Sequence, residues 1–401
     1  MKLNEIRLTT TLDSRSQPTL QAEMFSADFS SLASVPSGAS VGSNEAVSIG
    51  TDLVVDKFHR IKKRLLDHDF SSPEQFDRLL IELDGTDNKS NLGANLTLSL
   101  SIAFTKLLAK NFHLPTYRLL SQLAGLTLQK FPLLFVNLIE GGMHAKNSLP
   151  FQEYLYIALD DSPLKNLEQT QQFIVSLREL FEREGRQLTY GDEGGFTMTG
   201  DNPASGLEIL SSLLSDGARL GLDIAASTFF KNGSYVIGQQ TFSSAELLGF
   251  YQNLVNRFDL LSIEDPFSEN DPGSFSALRR ILNGKVWIVG DDLTVTNTRR
   301  IEAARERAEI DAVIIKPNQI GTVSETVAAV LLCKKLGLKT IVSHRSGETE
   351  DAFIADFAVG LQADGLKSGC PLQKYRLIKY QRLIAIENEL KLKRDGQVSD
   401  I

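Results

Sequence analysis

The sequence predicts an α/β protein in which an α+β domain precedes a (β/α) barrel. Six short apolar runs in the second half each end in an ionisable side chain: Asp223, Glu264, Asp291, Lys316, His344 and Lys367. After a longer first interval these residues recur roughly every 25 positions, about the length of one strand, one helix and two loops. The first ~125 residues lack that beat. Parallel strands so arranged put their carboxyl ends on one face, where such barrels hold their active sites. Three acids and two lysines would then converge on one cavity.

Taken in order, residues 3–33 read as a β meander, with turns near Ser16-Gln17-Pro18 and Ala27-Asp28, and a loop follows over 35–42. A helix over 73–83 opens behind Ser72 as its cap. Another over 96–109 is apolar on most faces, which predicts deep burial. The domains are therefore 1–125, an α+β domain, and 126–401, the barrel. No Pro/Gly/Ser linker marks the boundary within 125–130, so a tight domain contact is implied. Inside the barrel, Thr322-Val323-Ser324-Glu325 is a capping-box pattern, Val323, Val327, Val330 and Leu331 recur at helical spacing, and Gly337 sits where a C-terminal cap belongs. After the polar stretch 346–351, Phe353, Ile354, Phe357, Ala358 and Leu361 form a second stripe.

Composition excludes several classes. At 401 residues and 42% hydrophobic, the chain can bury a large core. A net charge of -8, with a pI near 5.3, argues against nucleic acid as the main partner. The longest apolar runs, such as 131–136, are too short to span a membrane, and Met1-Lys2-Leu3-Asn4-Glu5 has no apolar signal core. Cys333 and Cys370 are the only cysteines, which fits the reducing cytoplasm.

Four segments resemble enolase signatures, in family order: Ser262-Ile263-Glu264-Asp265-Pro266-Phe267, Asp291-Asp292-Leu293-Thr294-Val295-Thr296-Asn297, Lys316-Pro317-Asn318-Gln319-Ile320-Gly321-Thr322 and Ser343-His344-Arg345-Ser346-Gly347-Glu348-Thr349-Glu350-Asp351. So do Asp13-Ser14-Arg15, Val35-Pro36-Ser37-Gly38-Ala39-Ser40, Leu83-Asp84-Gly85-Thr86, Gly141-Gly142-Met143-His144-Ala145, Gln152-Glu153 and Gly191-Asp192-Glu193-Gly194-Gly195. The resemblance spans nearly the whole chain. It implies an enolase-type (β/α)8 barrel behind an N-terminal lid domain, and magnesium-dependent interconversion of 2-phosphoglycerate and phosphoenolpyruvate.

That reaction removes a proton beside a carboxylate, and the resulting enediolate needs cations already in place. Asp223, Glu264 and Asp291 supply oxygen ligands, and hard carboxylates without a Cys or His cluster favour magnesium over zinc. Asp265 and Asp292 adjoin two of these acids; alternation lets only one of each pair face the cavity, and spacing does not choose between them. The family pattern implies Glu264 and Asp291 for one magnesium, and a second held largely by substrate with the loop serine matching Ser40.

Lys316 is the candidate base at C2, in keeping with the Lys or His base general to enolase-superfamily sites. Lys367 and two metal cations are expected to lower its pKa. Lys367 would stay charged against the substrate carboxylate. Glu193 would be the general acid for loss of the C3 hydroxyl, with Glu153 and Gln152 close by. Arg345 and Ser346 resemble a phosphate grip. His344 and His144 match the family's two active-site histidines, while His59, His68 and His113 read as structural.

Some positions depart from the family pattern. Ser16-Gln17 stands where Gly-Asn is usual, Gln21 where Glu is usual, and Gln373-Lys374-Tyr375 where Arg-Ser-Glu is common; the family places much of this near its dimer contact. Val41 replaces a Thr beside Ser40, and an Arg-Asp-Gly-Asp stretch is missing, which bears on lid closure. The expected assembly is a homodimer or higher homo-oligomer. The rival readings are a superfamily dehydratase of another acid and an enolase-like binding protein without this activity.

Overall fold

The computed structural model describes residues 1–38, 42, 44–145 and 149–394. Ser40 and Val41 lie outside the described residues. The meander forms as the turns predict: Glu5–Leu12, Pro18–Phe25 and Ser30–Ser34 pair antiparallel in that order. Helices Thr51–Leu66, Pro73–Asp84, Ala94–Asn111 and Thr116–Leu123 follow. Ser72 caps the second of these by accepting from the Gln75 amide, and the third is buried on nearly every face. The first and fourth were not foreseen.

Eight strands close the barrel. Their order is Leu133–Glu140, Glu153–Ala158, Ala218–Asp223, Leu260–Glu264, Trp287–Gly290, Ala312–Ile315, Lys339–Ser343 and Gly365–Lys367, the last pairing back to the first. The second strand runs antiparallel to both neighbours, so the barrel departs from an all-parallel one. A chain that turns straight back after one strand needs no crossover helix. Its cavity end is therefore its start, and Glu153 rather than a C-terminal residue points there.

Phe135, Leu155, Ile157, Leu261, Val289, Ala312, Ile314 and Ile341 fill the barrel interior, separate from the main core. Strand alternation then places the site. Leu155 and Ile157 share phase with Glu153, Val289 with Asp291, and Ala312 and Ile314 with Lys316. These charged groups continue the interior rows past the apolar plug.

The helix Val323–Lys335 is capped by Thr322, whose hydroxyl accepts from the Glu325 amide and donates to the Glu325 carboxylate. Its buried stripe is Val323, Thr326, Ala329, Val330 and Cys333, rotated from the predicted one. The N-terminal helices complete that cap. Asp77 Oδ2 accepts from the Ser324 amide at 2.8 Å, and Ser101 Oγ from the Val323 amide at 2.9 Å. Free amides at a helix start are satisfied by side chains of another domain element, a tight contact that orients the N-terminal part on the barrel.

Candidate active site

The cavity lies at the carboxyl ends of the parallel strands and is lined by Glu153, Glu193, Asp223, Asp291, Lys316 and Lys367, with His144, Gln152, His344, Arg345 and Ser346 around them. Glu264 sits just beneath, also buried. Lys367 is the hub of one half. Its Nζ donates to Asp223 Oδ2 at 2.8 Å and Glu264 Oε2 at 2.9 Å, and lies 3.3 Å from Glu153 Oε2. Burial disfavours its charge, but these three carboxylates outweigh burial and hold it well above the ordinary lysine range.

Lys316 pairs with Asp291 Oδ2, and Gln319 Nε2 donates to Asp291 Oδ1 at 2.8 Å. Burial pushes the Lys316 ammonium down, yet Asp291 more than offsets this and the net shift is upward. In this arrangement the nearest charge to Lys316 is the Asp291 carboxylate; the expected lowering concerns the site with Lys367 and two metal cations acting together.

Within the acid pairs, Asp265 is a brace. Its two oxygens accept from the amides of Asp291 at 2.9 Å and Asp292 at 2.7 Å, fixing the loop that presents Asp291. Glu264 keeps Oε1 buried without a hydrogen-bond partner. Burial first, then the charge of Asp223, push the Glu264 carboxyl well above its usual range, and Lys367 offsets only part. A cluster of buried carboxylates with an unsatisfied oxygen fits a hard divalent cation. Lys316 and Lys367 stand among Asp223, Glu264 and Asp291, and the described groups whose ligand atoms lie mutually within 4.8 Å are Asp265, Asp291 and Asp292, and His144, Glu153 and Glu193, not the expected triad.

Glu153 also belongs to a second cluster, of acids and histidines. His144 Nδ1 lies 3.7 Å from Glu153 Oε1 and 3.8 Å from Glu193 Oε1, and His344 Nε2 is 3.3 Å from Glu193 Oε2. Burial, and next the charge of Glu193, raise the Glu153 carboxyl far above its usual value. Burial would raise Glu193 as well, but His344, His144 and Arg376 overcome it and hold that carboxyl low. The two neighbouring carboxyls are thus pushed in opposite directions, Glu153 up and Glu193 down. Gln152 Nε2 reaches Asp223 Oδ2 at 3.4 Å.

Arg345 enters the cavity, and its guanidinium is already engaged. It donates to Glu45 Oε2 at 2.7 Å and Oε1 at 3.2 Å, and to Asn318 Oδ1 at 3.0 Å. Ser346 follows it on the same loop, which the N-terminal sheet holds: Gly347 and Ser37 exchange backbone hydrogen bonds at 2.8 Å, and Ser14 N donates to Glu348 O. Asp13 explains Gly347, where a Cβ would meet Asp13 Oδ2 at 2.1 Å.

Sequence reading missed Glu45, Gln319 and Arg376. Arg376 is fully buried and donates to the carbonyls of Arg345 at 2.6 Å, Ser346 at 2.7 Å and Asp192 at 3.3 Å. Gln373 accepts from Arg376 Nε at 3.1 Å and donates to Asp192 O at 3.1 Å, so this departure from the family pattern supports the site itself. His59, His68 and His113 lie away from the cavity, His68 on the Arg64 carbonyl and His113 against Phe29.

Residues 3–120 match the family model described as the enolase N-terminal domain, and residues 129–397 match the enolase C-terminal TIM barrel domain. The enolase of Anaplasma phagocytophilum is 39% identical over 411 residues, covering 97% of this chain and 95% of that protein. The enolase of Thermococcus gammatolerans is 38% identical over 402 residues, covering 94% and 93%. That of Pyrococcus furiosus is 37% identical over 402 residues, with the same coverage. Joined to a barrel whose strand ends carry two lysines and three carboxylates, these full-length likenesses establish that the chain belongs to the enolase family.

Proposed function

We propose that Lys316 is the base and Glu193 the acid of the family's reaction, acting from different clusters of the one cavity. The reaction follows from the family: the chain is a glycolytic lyase that reversibly dehydrates 2-phosphoglycerate to phosphoenolpyruvate. The observation that carries the assignment is the separation of charge. Lys316 pairs with Asp291, whereas Glu193 lies with His144 and His344, and Glu153 bridges the two groups at 3.3 Å from Lys367 Nζ.

Lys316 takes the C2 proton only when neutral, which requires that Asp291 find another partner. A divalent cation held by Asp223, Glu264 and Asp291 would engage Asp291 and stabilise the negative charge that develops on the substrate carboxylate. We assign that cation as magnesium and infer a second one, with Ser40 as the loop ligand. Lys367 remains an ammonium and orients the substrate carboxylate. Glu193 must carry a proton when the C3 hydroxyl departs as water, and His144 lies between it and Glu153. His344 holds Glu193 in place from its far oxygen. Arg345 and Ser346 take the phosphate, for which the phosphate must compete with Glu45.

We further propose a domain boundary between 125 and 126, a cytoplasmic location and a homo-oligomeric state without nucleic-acid or membrane partners. No helix among the described residues is long and apolar enough to cross a membrane. Ultraviolet absorbance of the conjugated enol product, with 2-phosphoglycerate and magnesium, tests the assignment. Lys316→Ala should abolish the signal while retaining substrate binding; full activity in that variant would refute it.

A further inference from the structure

Glu140 ends the first barrel strand, is fully buried, and has no role in the chemistry above. The turn that carries Glu193 wraps its carboxylate. Glu140 Oε2 accepts from the Glu193 amide at 3.1 Å, and Oε1 accepts from the Gly195 amide at 2.5 Å. The glycines of the turn leave room for it: a Cβ at Gly191 would lie 2.1 Å from Glu140 Oε2, and one at Gly195 3.0 Å from Oε1. Neither glycine has positive φ, so close approach, and not backbone freedom, explains both.

Burying a carboxylate is costly unless strong hydrogen bonds offset it, and amide donors to a carboxylate are among the strong ones. Burial, and then the charge of Glu193, push the Glu140 carboxyl well above its usual range, and the two amide bonds offset only part of this. A turn that needed only to be closed could be held at lower cost by a neutral acceptor. What the carboxylate adds is two directional bonds, one of them to the backbone of Glu193 itself. On the far side of the same turn, Arg376 and Gln373 hold the Asp192 carbonyl.

We propose that Glu140 is a positioning residue for the acid: it clamps the 191–195 turn so that the Glu193 carboxyl stays between His144 and His344. This rests on Glu193 being the acid. In Glu140→Gln the side chain keeps its volume, but its amide nitrogen can only donate, so one of the two clamping bonds is lost.

The test compares Glu140→Gln with Glu193→Gln in deuterated water containing magnesium and 2-phosphoglycerate. NMR follows exchange of the C2 hydrogen, and ultraviolet absorbance follows phosphoenolpyruvate. Glu140→Gln should slow phosphoenolpyruvate formation on the order of 10- to 100-fold, the scale for a misplaced catalytic group, with C2 exchange within about twofold of the parent. Unchanged dehydration, or equal loss of exchange and dehydration, overturns the proposal when Glu193→Gln itself loses dehydration. Dehydration surviving in Glu193→Gln overturns the acid assignment instead. Should Glu140→Gln not fold, Gly195→Ala, which sets a methyl 3.0 Å from both Glu140 Oε1 and the Asn137 carbonyl, is read by the same two signals.

Discussion

Arg376 Nη1 lies 2.6 Å from His344 Nδ1 beneath the active-site cavity. A guanidinium can only donate, so Nδ1 accepts and the ring proton resides on Nε2, which faces Glu193. Burial is the largest cause that pushes the imidazole down, to about 4, with Arg376 adding to it and Glu193 opposing. His344 thus presents its Nε2 proton to Glu193 Oε2, 3.3 Å away, whatever the charge of the ring.

Replacing Arg376 by Gln removes a positive charge and keeps a donor. The pKa of His344 should then rise by about one unit or more, since a like charge no longer disfavours the imidazolium. Nitrogen-15 NMR of the histidine ring would report both the pKa and the tautomer. An unchanged titration and an unchanged tautomer would show that Arg376 does not set the state of His344.

Asp223, Glu264 and Asp291 should each be needed for the metal. Changing any one to its amide should weaken magnesium binding at least about tenfold, since even outer partners of metal ligands have effects of that size. Calorimetry on the three variants, with circular dichroism to verify folding, measures this. Equal magnesium affinity in all three would remove them as ligands.

Asp77 should make stability depend on pH. Burial raises its pKa from 3.8 to about 6 in the folded protein. The folded state thus binds the proton more tightly than the unfolded chain, so this group's contribution falls as pH rises from about 4 to about 6. The full shift corresponds to about 3 kcal/mol. The stability of the parent minus that of Asp77→Asn, from denaturant unfolding, should decline across that window and then level off. A pH-independent difference would contradict the buried-acid reading.

Much of the barrel was legible because its strands are buried on both faces and read as apolar runs ended by a charge. The same rule marks Glu140, which closes the run Leu133–Glu140, and it would have found that residue if applied there. Glu153 escapes the rule because its strand is reversed and the charge stands at the start. Glu45 and Arg376 left no local trace: their partners, Arg345 and His344, are 300 and 32 positions away. The pairing of Lys316 with Asp291 was likewise invisible, since spacing shows that the two meet in one cavity but not that they pair.

Lys316 as base and Glu193 as acid are different residues in different clusters of the cavity. Proton removal at C2 and loss of the C3 hydroxyl are separate steps, so deuterium exchange at C2, followed by NMR beside phosphoenolpyruvate formation, distinguishes them. Lys316→Ala should lose both exchange and product, while Glu193→Gln should lose product yet retain measurable exchange. Exchange that survives in Lys316→Ala but is absent from Glu193→Gln would contradict the account.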